Sequence, residues 1–318
     1  MKSRTFCFSL FSVIAIGVTT CLPAQAQRAR VFVSVHGQDG NPCTALSPCR
    51  TFQYAHDNVL AGGEISVLDS GGYGPVVITK SVSIVNPAGV EAAIAVASNE
   101  TAISVGAGAS DTVSLRGLIL DGSGAGGIGI YFTGGAALEV VDCVIRNYKN
   151  FGIVNFSFAT YPMSLSITNV TVSNIGSTGI AINPSNSPTI EVTLNRVELR
   201  NNQVNGLEID ASPTVQRIVT NVIDSVLANN GQNGVFAYSI DLGDSVTQVS
   251  LLRSVATNNG TGVKAEGPTS TIRLAESMLT GNAQGWAQGN GSLVQSYGNN
   301  FIDGNTIVNQ APPGIPVK

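Results

Sequence analysis

The sequence predicts an all-β chain, a single-stranded right-handed parallel β-helix (a solenoid) with a short N-terminal capping helix. Three observations lead there. The 318 residues include 36 Gly and only 11% charged residues, and short runs of Val, Ile, Ser and Thr are broken by Gly and Asn. Such runs suit short strands, and no long helical period competes with them. A degenerate unit then recurs from about Ala102 to Asn305. Finally, an isolated helical pattern stands just ahead of the repeats, where an open solenoid end needs a cover.

The repeating unit reads apolar-x-apolar-x-Asn, a short turn, then Gly-apolar-x-apolar. Its Asn positions are Asn147, Asn174, Asn201, Asn230, Asn259, Asn282 and Asn305, and its Gly positions are Gly127, Gly152, Gly179, Gly206, Gly234, Gly262 and Gly285. Steps between the Asn are 27, 27, 29, 29, 23 and 23 residues. A period of this size is a solenoid signature. Each coil supplies short strands that pair with the coils above and below, about 4.8 Å away. One side of each strand faces the interior, so apolar and exposed residues alternate. Gly provides backbone freedom at the bends, and Asn tolerates left-handed turns. Stacked Asn side chains are expected to bond to one another along the axis, as structural ladders rather than as a site.

Four segments follow. Residues 1–26 read as a secretory signal: Lys2 and Arg4 precede an apolar run from Phe6 to Leu22, and Ala24-Gln25-Ala26 offers small residues for cleavage. Thr20 stands before Cys21 where a lipoprotein needs a smaller residue. Residues 27–62 form an N-terminal cap, residues 63–305 the β-helix and residues 306–318 a Pro-rich tail. No later segment is apolar enough to span a bilayer. The chain is therefore expected to be exported, to the periplasm or beyond the cell. In that oxidising setting Cys43 and Cys49, which flank a short Pro-bounded loop, are expected to form a disulfide. Cys143 sits at an apolar repeat position and reads as a buried, inert thiol.

Charge narrows the partners. The formal charge is −4, with 16 Lys and Arg against 20 Asp and Glu, and loss of Lys2 and Arg4 with the leader leaves a more acidic remainder. That balance disfavours nucleic acid, whose phosphates need a basic face. It also makes polyanionic polysaccharides harder to bind. His36 and His56 lie near the cap without acids or thiols at ligand spacing, and read as ordinary cap residues. No metal or other cofactor is called for, and the oligomeric state is not set.

Residues 31–90 carry a resemblance. Val31-Phe-Val-Ser-Val leads into the Cys loop and then Arg50-Thr-Phe-Gln-Tyr-Ala-His-Asp-Asn-Val-Leu60, in which Phe52, Ala55, Val59 and Leu60 fall on one helical face. Gly63-Glu-Ile-Ser-Val-Leu-Asp-Ser-Gly-Gly-Tyr73-Gly-Pro-Val-Val-Ile follows. These segments resemble the opening of right-handed β-helix proteins of the pectin-lyase-like superfamily. The second is similar to the first coil of pectin methylesterases, although Pro75 stands where those commonly have Glu. The resemblance implies the fold over nearly the whole mature chain. It brings no catalytic signature with it. The Gly-His-Gly and Arg-Ile-Lys of polygalacturonase-like enzymes do not occur. The Asp-Phe-x-x-Gly of the esterases and the Arg-x-Pro-x-x-Arg of pectate lyases are also missing.

One surface remains as a candidate. If positions one and three after each turn Gly face inward, positions two and four face solvent. Up the stack those pairs are Gly129/Tyr131, Val154/Phe156, Ala181/Asn183, Glu208/Asp210, Phe236/Tyr238, Lys264/Glu266 and Ala287/Gly289. Tyr131, Phe156, Phe236 and Tyr238 thus flank an acidic, Lys-containing strip of Glu208, Asp210, Lys264 and Glu266. Rings stack on the C–H faces of sugars and carboxylates accept their hydroxyls. Glu208 and Asp210 are expected about 7 Å apart, and Asp210 and Glu266 about 9–10 Å apart. The first spacing falls in the range of inverting glycosidases, so Glu208, Asp210 and Glu266 are the catalytic candidates. Exposed strands with acids at i and i+2 all show that spacing, and solvated surface pairs are the bland reading. Two insertions, Phe156 to Met163 and Tyr238 to Gln248 (with Asp241 and Asp244), adjoin the same edge. The preferred expectation is a non-catalytic β-helix that binds glycan or serves structurally at the cell envelope. The alternative is a lyase or glycoside hydrolase acting on a plant or microbial polysaccharide.

Overall fold

The computed structural model describes residues 28–186, 189–211, 217–240, 245–308 and 310–316. The leader at residues 1–26, and Asp241 and Asp244 of the second insertion, lie outside the described residues. The chain winds through three sheets of eleven, nine and ten strands, and each strand pairs with its equivalent in the next coil. One coil shows the plan: Ala137–Val141 in the eleven-strand sheet, Val144–Arg146 in the ten-strand sheet and Phe151–Asn155 in the nine-strand sheet. All three run parallel to Met163–Thr168, Thr171–Ser173 and Thr178–Ile182 of the next coil.

The alternation read from the sequence sets the core. In the nine-strand sheet Ile103, Ile130, Ile153, Ile180, Leu207, Val235 and Val263 stack in register, and all are fully buried. Burying one such side chain stabilises by about 1.5–3 kcal/mol. Because every interior position repeats in each coil, the core is one continuous column of aliphatic layers.

The asparagines divide into two columns where the sequence suggested one. Asn147, Asn174 and Asn201 adopt left-handed backbone conformations (φ 61°, 56° and 57°) on the outside of the turn, as do Asn229 and Asn258. Their side chains link outside the turn, Asn174 to Asn147 at 3.3 Å and Asn201 to Asn174 at 3.4 Å. The second column is interior: Asn202, Asn230, Asn259, Asn282 and Asn305 are all buried. Each Nδ2 donates to the next Oδ1 at 2.8–3.0 Å. In the last four the same amide also donates to a strand carbonyl (Leu199, Leu227, Ala256 and Leu279). Asn230, Asn259, Asn282 and Asn305 therefore do not continue the column of Asn147, as the sequence alignment had them. The doublets Asn201-Asn202, Asn229-Asn230 and Asn258-Asn259 hide the one-residue difference.

The turn glycines have a steric reason beyond flexibility. A Cβ on Gly234 would lie 2.5 Å from the Gly262 carbonyl and 3.0 Å from the Asn259 amide, and Gly179, Gly206, Gly262 and Gly285 likewise face a carbonyl and an Asn amide of the next coil. The column begins Gly129, Gly152, Gly179: a Cβ on Gly129 would meet the Gly152 carbonyl, whereas one on Gly127 would meet Asn99. The repeat glycine of that coil is Gly129, two residues after the one expected. A second polar ladder was not anticipated. The hydroxyls of Ser225, Ser254 and Ser277 and the Asn300 amide oxygen accept the backbone N–H of Val197, Ser225, Ser254 and Ser277 in turn. Cys143 does the same for Leu118 at 3.4 Å, and burial pushes its thiol up to about 11.

The N-terminal cap meets the exposed edge of every sheet. Strand Arg28–Val33 extends the eleven-strand sheet, and its outer edge is bonded to the Cys43–Cys49 loop, whose disulfide is formed. Phe52 N–H donates to the Tyr73 carbonyl and the Arg50 guanidinium to the Gly72 carbonyl, closing the ten-strand sheet. The helix Phe52–Asn58, N-capped by Thr51, closes the nine-strand sheet: Gln53 accepts from Val77 N–H and His56 Nε2 from Thr79 N–H. The helix is shorter than its apolar spacing implied. Leu60 stands in strand Val59–Val67, 42% exposed, so the helical face ends with Ala55 and the His56 side chain. At the far end Trp286 donates its indole N–H to the Gln310 carbonyl, and Ser296 pairs with Gly314. Residues 306–308 and 310–316 thus lie along the last coil.

Two predictions follow from the cap and the ladder. Asn259→Leu strips partners from at least two buried polar groups, each costing about 1–3 kcal/mol, so unfolding free energy should drop by roughly 3–5 kcal/mol in urea titration. Asn258→Gly, one residue away on the outside, should change it by less than about 1 kcal/mol. His56 accepts from Thr79 and holds its Nδ1 3.2 Å from Asp57. Burial, aided by Lys80, lowers its pKa below the ordinary 6.5. The folded state therefore favours the neutral ring, whose stabilisation is complete above pH 6.5 and is lost as pH falls towards the depressed value. Between pH 7.5 and 5.5 the urea midpoint should fall more for the wild type than for His56→Gln.

Candidate functional site

The register of the nine-strand sheet determines which outward side chains become neighbours. The first outward column reads Tyr131, Val154, Ala181, Glu208, Phe236, Lys264 and Ala287. The second reads Asp210, Tyr238, Glu266 and Gly289. It extends through Asn183, whose backbone N–H reaches the Asn155 carbonyl and whose amide donates to Asp210 at 3.1 Å.

Two aromatic groups result. Phe236 and Tyr238, two residues apart in strand Asn233–Ser239, stand side by side with ring centroids 6.2 Å apart and planes 25° apart. One coil before them come Glu208 and Asp210, and one coil after them Lys264 and Glu266. The second group is separate: Phe156 packs edge-on against Phe151 at 5.4 Å. Tyr131 occupies the first column beside Val154, and not the second column in which the sequence placed it, because the repeat glycine is Gly129. Four coil steps, about 19 Å, separate Tyr131 from Phe236. Tyr131 and Phe156 therefore do not share a subsite with Tyr238.

Polar contacts order the charged side chains. Thr178 and Asn205 both donate to Glu208 Oε2, at 3.1 and 2.8 Å. Lys264 lies 2.8 Å from Glu266 and 5.4 Å from the centre of the Phe236 ring, and Asn290 donates to the other Glu266 oxygen at 3.1 Å. Thr178 and Asn205 belong to a third, N-terminal column of this face, which pattern reading missed. They precede the repeat glycines by one residue and looked like turn residues. Both are buried, at 1% and 3% exposure.

Residues 156–162 join strands Phe151–Asn155 and Met163–Thr168, with Tyr161 Oη accepting from Gly135 N–H. The second insertion is shorter than expected, since strands Asn233–Ser239 and Val246–Leu252 take up both its ends. A separate corner cleft of about 560 Å3 is lined by the outer Asn ladder, Tyr148 and Lys149. Among the described residues no group of three or more His, Cys, Asp or Glu is placed to hold a metal, and no helix is long and apolar enough to cross a membrane.

No protein-family model and no curated protein sequence matches the chain. Solved structures do match its fold. XylC in complex with xylose superposes with a TM-score of 0.63 at 10% identity, covering 83% of this chain and 68% of that one. Pectate lyase Pel9A gives 0.59 at 15% identity, over 86% and 78% of the two chains. The A-module of Azotobacter vinelandii mannuronan C-5 epimerase AlgE4 gives 0.51 at 16%, over 74% and 73%. At these identities the likeness is one of architecture: the chain shares the parallel β-helix fold of these structures.

Proposed function

We propose that this chain is an exported, non-catalytic β-helix that binds a polysaccharide across the outer face of its nine-strand sheet. The observation that carries the reading is the pair Phe236 and Tyr238, parallel, partly exposed and bracketed by charged coils. Paired rings present a flat apolar platform to the C–H face of a sugar, and the carboxylates beside them accept its hydroxyls. Glu208 and Glu266 each take two donors from the protein. These contacts fix both carboxylates in place beside the rings. Export is supported by the Lys2/Arg4 leader pattern and by the disulfide.

A second reading, a lyase or glycoside hydrolase, draws on two observations. Glu208 and Asp210 share one strand face at a spacing of about 7 Å, within the inverting range. Structural neighbours include a pectate lyase and a mannuronan epimerase. One experiment separates the two. The purified chain is titrated with neutral and acidic polysaccharides while reducing ends and 4,5-unsaturated products are followed. We expect binding without turnover, weakened at least about tenfold (1.4 kcal/mol) by Tyr238→Ala or Phe236→Ala. Turnover that disappears in Asp210→Asn or Glu208→Gln would establish the enzyme instead.

A further inference from the structure

Building on the glycan-binding reading, we infer the class of polymer: one of amino sugars carrying free ammonium groups, not a polyuronate. The inference comes from how charge is distributed around the aromatic pair. Phe236 has Glu208 on one side and Lys264 on the other, whereas Tyr238 has Asp210 and Glu266, an acid on both sides. Each neighbour is one coil away, about 4.8 Å along the stack. Among the described residues, three carboxylates thus adjoin the pair against a single ammonium.

That ammonium is already engaged. Lys264 is 2.8 Å from Glu266 and rests over the Phe236 ring. That pairing also neutralises Glu266 in part, so a sugar seated on Tyr238 meets Asp210 at one edge of the ring and the Lys264–Glu266 pair at the other. The patch keeps net negative charge through Glu208 and Asp210, and the chain as a whole is acidic at −4. A polymer bearing a carboxylate on each sugar would set like charge against Glu208 and Asp210 at close range on this half-exposed face, a repulsion that salt screens. A divalent cation could reverse this by bridging. Yet no group of three or more metal-ligating side chains is assembled among the described residues. An ammonium on the sugar fits the same positions with opposite charge, and its N–H groups find acceptors there.

The test uses the full chain and three hexasaccharide probes. Two share one backbone, a glucosamine hexamer and its fully N-acetylated counterpart, and the third is a galacturonate hexamer. Affinities are measured by calorimetry at a pH where the amines are protonated, in low and high salt. The amine-bearing hexamer should bind at least tenfold more tightly than the acetylated one. That advantage should shrink in high salt and vanish in the double variant Asp210→Asn/Glu266→Gln, whose fold is checked by circular dichroism. Tyr238→Ala should abolish binding of both. Equal affinity for the acetylated hexamer, or tighter binding of the galacturonate hexamer, would overturn the charge selection while leaving a glycan-binding face intact. If none of the three binds, or if Tyr238→Ala changes nothing, the glycan-binding reading itself fails.

Discussion

Everything in this molecule depends on the in-register stacking of coils. In a parallel solenoid the backbone of one coil has its hydrogen-bonding partners in the next, so each residue's nearest neighbour is its own equivalent one coil away. A residue type that suits its position must therefore suit being stacked on itself. Aliphatic side chains do, and they build the core. Asparagine does so in a further way, because each amide is both donor and acceptor and can bond the copy above while accepting from the copy below. The interior ladder from Asn202 to Asn305 brings this into the core, where it also satisfies strand carbonyls and turn N–H groups. The glycine column beside it is the steric counterpart, since the ladder and the next carbonyl occupy the space a Cβ would need.

Stacking also creates the main liability of the fold, which is its ends. An uncovered coil exposes core and three rows of unpaired backbone groups, an invitation to edge-to-edge association. The N-terminal cap answers all three rows with different devices: the disulfide loop, the segment around Arg50 and Phe52, and the Gln53 and His56 side chains. His56 is the most exacting of them. It works as an acceptor, so its protonation state is tied to the integrity of the cap. Asp69 has a related role nearby. It accepts from Ser34, Val35 and Tyr73, and although burial opposes the charge, these bonds hold its carboxyl below the usual range.

The outer faces are where the stack is free to vary, and the face of the nine-strand sheet uses that freedom unevenly. Val154 and Ala181 lie in its first outward column yet are 0% and 2% exposed, while Glu208, Phe236 and Lys264 in the same column reach solvent in part. Stacking converts three unremarkable i, i+2 pairs into a two-dimensional patch. Glu208/Asp210, Phe236/Tyr238 and Lys264/Glu266 are far apart in sequence but sit on consecutive coils. Charge beside the aromatic pair is thus a property of coil order, and a one-coil insertion would dismantle it.

The sequence by itself determined the solenoid, the capping helix, the disulfide and the apolar columns. Strict alternation of apolar residues within short strands has one solution when the strands repeat every coil. It also placed Glu208, Asp210, Phe236, Tyr238, Lys264 and Glu266 together correctly, since the glycine pattern is unambiguous from Gly152 onward. Tertiary structure decided what polar residues do. Whether Asn229 or Asn230 turns inward is a one-residue difference to which hydrophobic pattern is blind, and a one-residue shift exchanges the two faces of a chain. The same ambiguity between Gly127 and Gly129 moved Tyr131 into the other column. Ser225, Ser254 and Ser277 carry no mark in the apolar pattern, and only stacking gives each hydroxyl a backbone N–H to accept. Polar side chains take their roles from partners, and in this fold the partners are a coil away, some 23 to 29 residues along the chain.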